Sequence, residues 1–468
     1  MNTAPQPDSL HRLVKHAIDS GRAESVAEAE AMFRGYRVAV EIGPAAAEDP
    51  VNQATLLTVV ALARRVFLGG VSVSAPLGTV LSTPPPLGRT LAAAVKTLGA
   101  EIGVAAPGTP TIVIGGGPGG RRDGFSIRTA AAGWRGGVLP VHSSLGPVPG
   151  PAMPLAGMLS AALAVNEAYL YADGISIAGR RVLGLSLWQP DAHADWLAGD
   201  PEEPELTFLP SRLWLIGLGH LGQAYLWGLG ILPYRHPADL SLVLQDVDIV
   251  TDSTESTSVL TRAEHVGQKK TRAMAAWADA RGFETAILER LFDADFERQQ
   301  SEPGVALCGL DNATYRRALD RVGFDMVIGA GLGNGYRDFR TMRLHTLPGP
   351  RPAAQIWSAA AKAETVEDRP AYQRLLREGT LDQCGMTMLA GKAVGAPFVG
   401  AVAATLVLSE ILRHLHGGWV HQMIDVDLLG LDQRLAFRHE QGFDGFNPGF
   451  TEAEWPIPAA NGCGSLAP

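Results

Sequence analysis

Gly217, Gly219 and Gly222 spell G-x-G-x-x-G directly after the apolar run Leu213–Ile216 and ahead of a segment with helical spacing. Glycine at these positions permits a tight turn and lets main-chain N–H groups approach phosphate oxygens at the positive end of a helix. The next apolar run, "LSLVLQDVDIV", ends in Asp246 and Asp248, carboxylates suited to ribose hydroxyls. On these groups alone, an oxidoreductase using NAD(P) and an enzyme using ATP fit equally well. Cys308, Cys384 and Cys463 are odd in number and far apart. They build neither a disulfide framework nor a CxxC zinc knuckle, and they fit a reducing, cytoplasmic setting. His193, His414 and His416 lack the spacing of a metal site.

These groups must be held by sizeable cores, and 468 residues with 46% hydrophobic content allow two or three domains. The net charge of -9 argues against a nucleic-acid partner, which needs clustered Lys and Arg. The N-terminus lacks the apolar core of a signal peptide, and the apolar run from Gly395 to Leu408 is too short to span a bilayer, so no membrane role is expected. Residues 8–39 read as a polar amphipathic helical region and 53–67 as a buried helix. Between 68 and 150, short β-branched runs alternate with glycine and proline, the pattern of an α/β layer. The Pro-, Asp- and Glu-rich stretch Trp188–Ser211 reads as a link between domains.

One echo bears on the whole architecture. Pro154, Gly157 and Glu167 in "PLAGMLSAALAVNEAYL" match Pro397, Gly400 and Glu410 in "PFVGAVAATLVLSEILR" at equal offsets. Duplication explains this, although two alanine-rich core helices can also coincide by chance.

From residue 211 to about 345, the order of motifs resembles the ThiF/MoeB and ubiquitin-activating enzyme family. The shared order is a glycine loop, a strand ending D-x-D, a G-x-x-K helix start closing on Lys270, and a strand ending in Asp311 and Asn312 with an arginine after it. The likeness recurs at "GAPFVGAVAATLVLSEILRHLHGG". It implies a Rossmann-like α/β adenylation domain preceded by a related, degenerate α/β domain, a pseudo-dimer in one chain. The expected division is 1–190 for the inactive domain, 191–210 for a linker and 211–346 for the first part of the active domain. A crossover segment, 347–384, and a C-terminal part with tail, 385–468, complete it.

By the same resemblance, Gly217, Gly219 and Gly222 line the ATP phosphates, with His220 where the family usually has another glycine. Asp246 binds ribose, Asp248 and Asn312 lie by the nucleotide, Lys270 offsets triphosphate charge, and Asp311 holds Mg2+. The family's asparagine and arginine after D-x-D are replaced by Thr254 and Thr257, with Arg262 a little further on. Arg37, Gly43 and Gln53 resemble the family's N-terminal arginine motif, which makes Arg37 either a donor to the ATP of the second domain or a solvated surface charge.

The implied activity is adenylation of the C-terminal glycine of a ubiquitin-like protein, followed by thioester formation and transfer to a conjugating-enzyme-like carrier. Cys384 is the candidate thiol, with Lys392 nearby to favour the thiolate, although a free cysteine is more often a buried hydrophobe. Cys308 reads as a core residue, and Cys463 lies in the tail. The arrangement is compatible with a homodimer. The alternatives are an impaired nucleotide-binding scaffold of the same fold and an NAD(P)-dependent oxidoreductase.

Overall fold

Short β-branched runs become strands, and the longer apolar segments become helices layered between two sheets. The computed structural model describes residues 9–455 apart from 77, 117–123, 359–366, 381, 441 and 444. In the first half the strands are β1 (Val38–Ile42), β2 (Val71–Ser74), β3 (Glu101–Ile102), β4 (Thr111–Ile114), β5 (Ser126–Ala132), β6 (Arg135–Pro140) and β7 (Leu183–Ser186). In the second half they are β8 (Phe208–Pro210), β9 (Arg212–Ile216), β10 (Ser241–Gln245), β11 (Glu284–Leu288), β12 (Val305–Cys308), β13 (Met326–Leu332), β14 (Thr341–Leu347), β15 (His421–Asp427), β16 (Leu435–Arg438) and β17 (Phe450–Glu452). The helices that matter to the site are α1 (Val14–Asp19), α2 (Pro50–Ala63), α3 (Pro154–Ala172), α4 (His220–Ile231), α5 (Lys270–Arg281), α6 (Pro370–Arg377), α7 (Gln383–Ala390) and α8 (Pro397–Leu415).

The first sheet runs β3-β2-β1-β4-β5-β6-β7 and the second β11-β10-β9-β12-β13-β14-β15-β16. In each, the first five positions are parallel and the rest antiparallel. Five parallel strands in this order are a doubly wound, Rossmann-like unit, and the chain contains it twice. The Pro/Gly/Glu echo is therefore structural. The glycines Gly157 and Gly400 do the same job in α3 and α8. A Cβ at Gly157 would lie 2.8 Å from the Val51 carbonyl at the start of α2, and one at Gly400 would lie 2.3 Å from the His220 ring at the start of α4.

The two glutamates also match. Both are fully buried. Glu167 accepts the Gly179 N–H at 2.8 Å ahead of β7, and Glu410 accepts the His421 N–H at 2.7 Å at the start of β15. Each carboxylate is paired with an arginine, Arg181 and Arg413 respectively. A buried charge is tolerated only when so paired and hydrogen-bonded.

The helices α3 and α8 lie against each other, with α2 packed on α3 and α4 on α8. This makes a helical layer shared by both halves, and α3 is buried along its whole length from Pro154 to Leu170. The apolar helix is longer than the 395–408 run suggests, because Ser409 and Glu410 continue it inside the core. Its 19 residues pass the length and composition test for a membrane span, yet 89% of the tested window is buried in the protein.

The segment expected to be a linker is fastened to the first half. Glu203 pairs with buried Arg135 at 3.1 Å and accepts the Trp134 N–H at 2.9 Å, while the Trp134 indole donates to Pro204 at 2.8 Å. Residues 8–39, expected to be helical, hold α1, a second helix at Val26–Gly35 and the start of β1. The five-residue strand was hidden in a region whose charges suggested one amphipathic face.

Candidate functional site

The glycine turn joins β9 to α4 at the C-terminal edge of the parallel strands. Gly217 adopts φ +83°, a left-handed conformation that favours glycine. A Cβ at Gly222 would sit 2.0 Å from the Gly217 carbonyl, so the helix can rest on the turn only without a side chain there. Gly219 caps α4 without a side-chain hydrogen bond, and a Cβ added to it would meet nothing within 4 Å. Space is thus open beside Gly219 at the N-terminus of α4, whose first main-chain donors have no partner within the helix, a setting suited to phosphate oxygens. The Gly309–Leu310 backbone abuts Gly217 within 3.2 Å of its notional Cβ, which brings the segment before Asp311 against the turn.

Asp246 acts as a buckle. One carboxylate oxygen accepts the Leu218 N–H at 2.6 Å and the other the Asp248 N–H at 2.8 Å. Asp248 is 65% exposed and receives Lys270 Nζ at 2.8 Å, while Lys270 lies 3.9 Å from Asp246. The pairing follows from the backbone. Ile249 bridges Lys269, Lys270 N–H donates to the Asp248 carbonyl at 3.1 Å, and the residues between form an excursion. Lys270 is the first residue of α5, so the D-x-D and G-x-x-K motifs meet face to face. Asp311 and Asn312 are exposed beyond β12, and Asn312 caps the next helical turn through the Thr314 N–H at 2.8 Å. The arginine after them, Arg316, is buried and serves the fold, donating to the Leu310 and Ala330 carbonyls.

His220 stands at the first position of α4 with its Nε2 shut off from solvent. Burial pushes its pKa down to about 4, against the pull of the Pro397 and Ala396 carbonyls. An NMR titration is expected to find this imidazole neutral down to about pH 4. The unfolded chain takes up the same proton near pH 6.5, so the stability tied to this group is complete above 6.5 and falls as pH drops toward 4. The slope is about 1.4 kcal/mol per pH unit. A folded-state midpoint near 6.5 would contradict this setting.

The first half repeats the turn in altered form. Gly43 follows β1 where Gly217 follows β9, and Gln53 in the first turn of α2 corresponds to Gln223 in α4. Gln53 holds the Ala47 and Val80 carbonyls at 2.9 and 3.0 Å and the Ser82 N–H at 2.8 Å. Gln223 holds the Leu218 carbonyl, Thr261 Oγ1 and the Leu260 N–H at 3.1, 2.9 and 3.1 Å. In the first half, however, Asp49 caps α2 by accepting the Asn52 N–H at 2.8 Å, so a carboxylate already occupies the end where a phosphate would sit. The helix in the place of α5 starts on Leu91 and has no amine there.

Arg37, Gly43 and Gln53 flank and follow β1 within the first half's own Rossmann unit. Arg37 is exposed and lies against Gly69 and Gly70. Arg12, Arg64 and Arg65 of the first half reach the 251–261 segment. The Arg12 guanidinium donates to Ser253 at 3.3 Å and its N–H to Ser256 at 3.2 Å, while Arg64 pairs with Glu255. Thr257 turns its methyl toward Gly395, and Arg262 pairs with Glu264 at 3.6 Å.

The backbone of Cys384 lies in the first turn of α7, and its side chain is outside the described residues. The neighbouring α6 and the end of α7 are anchored to α1. Tyr372 donates to Asp19 at 2.6 Å, Asp19 pairs with Lys15, and Lys15 donates to the Ala390 carbonyl at 3.1 Å, all within a buried cluster. Cys308 is buried in the core, where burial pushes its thiol pKa up. Cys463 lies outside the described residues. Among the described residues, no group of three or more His, Cys, Asp or Glu side chains is placed to hold a metal. A lone exposed carboxylate beside a phosphate cradle is still adequate for Mg2+, which takes one or two carboxylates and completes its shell with phosphates and water.

Fold and site together define a duplicated, Rossmann-like α/β protein with one open candidate nucleotide turn and one closed counterpart. Family models described as the BilD N-terminal domain and the BilD C-terminal domain match residues 37–187 and 209–418. The bacterial E1-like protein BilD of Collimonas sp. (strain OK412) is 43% identical over 428 residues, which cover 91% of this chain and 92% of that protein. The chain belongs to the BilD family of bacterial E1-like proteins. Among solved structures, E. coli MccB with succinimide is 13% identical, over 50% of this chain and 63% of that one, with a TM-score of 0.32. E. coli MccB with ATP is 12% identical, over 49% of this chain and 63% of that one, also with a TM-score of 0.32. The chain therefore spans less than two thirds of the MccB length.

Proposed function

We propose that this chain adenylates the C-terminal glycine of a ubiquitin-like protein and passes the acyl group through Cys384 to a conjugating-enzyme-like carrier. The observation that carries the reading is the open N-terminus of α4 with Lys270 held beside Asp246 and Asp248. A dinucleotide site has no need for that amine, whereas a departing pyrophosphate does. In the proposed step, a carboxylate oxygen of the glycine attacks the α-phosphorus of ATP. The bond to the β-phosphate breaks and pyrophosphate leaves with its electron pair.

Within this chain, the main-chain donors of the glycine turn bind phosphate oxygens, Asp246 keeps the turn in shape and is the ribose partner, and Asp248 presents its exposed oxygen to the nucleotide. Lys270 exchanges its carboxylate partners for phosphate charge as the leaving group departs. Asp311 would hold Mg2+, which supplies further charge neutralisation when bound. The first half is inactive in this reading because Asp49 closes its helix end and Leu91 stands in place of a lysine. Cys384, whose backbone lies in the first turn of α7, supplies the acceptor thiolate in this reading. Attack of that thiolate on the activated carbonyl would release AMP and leave the acyl group on sulfur.

The test combines the protein, Mg-ATP and a glycine-terminated ubiquitin-like protein, and follows exchange of radiolabelled pyrophosphate into ATP. Exchange that depends on the modifier is expected, and its absence with folded protein would overturn the adenylation. A non-reducing gel is then expected to show a thiol-sensitive adduct with the wild type and none with Cys384→Ala. An adduct that persists in the variant would move the acceptor elsewhere.

A further inference from the structure

A chain of hydrogen bonds runs from the first half to the glycine turn of the second. Arg65, at the end of α2, is 4% exposed. Its Nε donates to the Glu255 carbonyl at 2.9 Å and its Nη2 to the Thr261 carbonyl at 2.7 Å, while Nη1 donates to the Ala61 carbonyl in its own helix at 2.5 Å. Thr261, fully buried, meets the Gln223 amide through its hydroxyl at 2.9 and 3.0 Å. The Gln223 Nε2 also donates to the Leu218 carbonyl at 3.1 Å, and the Leu218 N–H donates to Asp246 at 2.6 Å. Asp246 is in turn 3.9 Å from Lys270. Each link is a direct contact, and the members are buried except at the nucleotide end.

The arrangement is not reciprocated. Gln53 and Gln223 each stand fourth in their helices, and the same sequence offset pairs Arg65 with Arg235, four residues past the end of α4. Arg235 is half exposed and pairs with Glu452 and Glu454 at 2.6 and 3.3 Å, and Glu454 lines a cavity with Pro50, Ser82 and Thr83 near Gln53, so this guanidinium meets carboxylates where Arg65 meets carbonyls. Three of the Arg65 N–H groups are committed to carbonyls, a fork that lysine cannot reproduce.

We infer that Arg65 is a positioning residue, through which the first half sets the geometry of the second half's glycine turn by way of Thr261 and Gln223. The inference rests on the nucleotide reading of that turn. It assigns the first half a continuing task, holding its partner's phosphate cradle in shape. Because the link ends on the Leu218 carbonyl and on Asp246, its loss acts on nucleotide affinity, ahead of any effect on the modifier.

The test measures Mg-ATP binding by titration calorimetry, alongside pyrophosphate exchange, in the full chain. Arg65→Ala is expected to weaken Mg-ATP binding at least tenfold and to raise the KM for ATP more than that for the modifier. Thr261→Val, which cuts the hydroxyl link and keeps the charge, is expected to weaken binding several-fold. Arg65→Lys is expected to restore little. Arg235→Ala is expected to stay within twofold of the wild type. The double variant of Arg65 and Thr261 is expected to lose less than the product of the single effects, since both interrupt one chain. Folded Thr261→Val and Arg65→Lys proteins with wild-type ATP affinity would overturn the inference even if Arg65→Ala fails to fold. A wild-type protein that binds no nucleotide would instead overturn the proposed function.

Discussion

Lys270→Ala is expected to cut modifier-dependent pyrophosphate exchange about 100- to 1,000-fold, the usual range for loss of a preorganised charge at a developing anion. The amine is 2.8 Å from Asp248 and 3.9 Å from Asp246. Its removal leaves Asp246 and Asp248 without their ion-pair partner, with Lys269 committed to the Val247 carbonyl, so phosphate charge is repelled as well as unassisted. The fold should survive, because Lys270 is the first residue of α5 and its side chain ends on the two carboxylates and not in the core. Circular dichroism would establish that. Lys270→Arg should recover part of the activity, since the charge persists in a larger shape. Exchange within a few-fold of the wild type in a folded Lys270→Ala protein would remove this residue from the chemistry.

The second large effect concerns stability. Glu410→Ala is expected to cost about 3–5 kcal/mol in denaturant unfolding, because it strands a buried charge. Arg413 and Glu410 are both fully buried and paired, and Glu410 also accepts the His421 N–H at 2.7 Å. Alanine leaves the guanidinium with the Leu187 and Trp419 carbonyls, which accept hydrogen bonds and carry no charge to neutralise it. The counterpart Glu167→Ala should cost less, since its partner Arg181 keeps 15% of its side chain in solvent and can rehydrate. Equal costs, or a loss below about 1 kcal/mol at Glu410, would show that the two sites are not ranked by burial of the stranded charge.

Much of the second half was legible in the sequence because its chemistry is local. The glycines, the D-x-D strand end and the G-x-x-K helix start each sit on a short stretch whose backbone geometry is dictated by nearby residues. The D-x-D and G-x-x-K motifs meet because one excursion of chain joins them. The duplication was visible only in its long helices, where Pro154, Gly157 and Glu167 recur as Pro397, Gly400 and Glu410.

The other half of the repeat was obscured by the length of one turn. Gly43 precedes Gln53 by ten residues, whereas Gly217 precedes Gln223 by six. The short helix Pro44–Ala47 takes up the difference and hides the I-G…Q correspondence. A comparison of "EIGPAAAEDPVNQ" with "LIGLGHLGQ" held the signal, once a gap was allowed. Contacts between the halves left no such trace. Arg12 meets Ser253 and Ser256 across more than 240 residues of chain. Arg65 lies next to Arg64 in a sequence that gives no sign of which guanidinium is buried. Such pairings arise from the docking of the two sheets' helical layer, and neither composition nor periodicity encodes them.

That shared layer has a consequence for the gene. Since α3 and α8 cover each other, a reading frame cut anywhere between the two repeats would yield two polypeptides, each with a bare greasy flank and little prospect of surviving alone. Co-expressed, the fragments should find one another as subunits do. Mutational drift in the first repeat is therefore constrained by its neighbour, whatever chemistry its own turn performs.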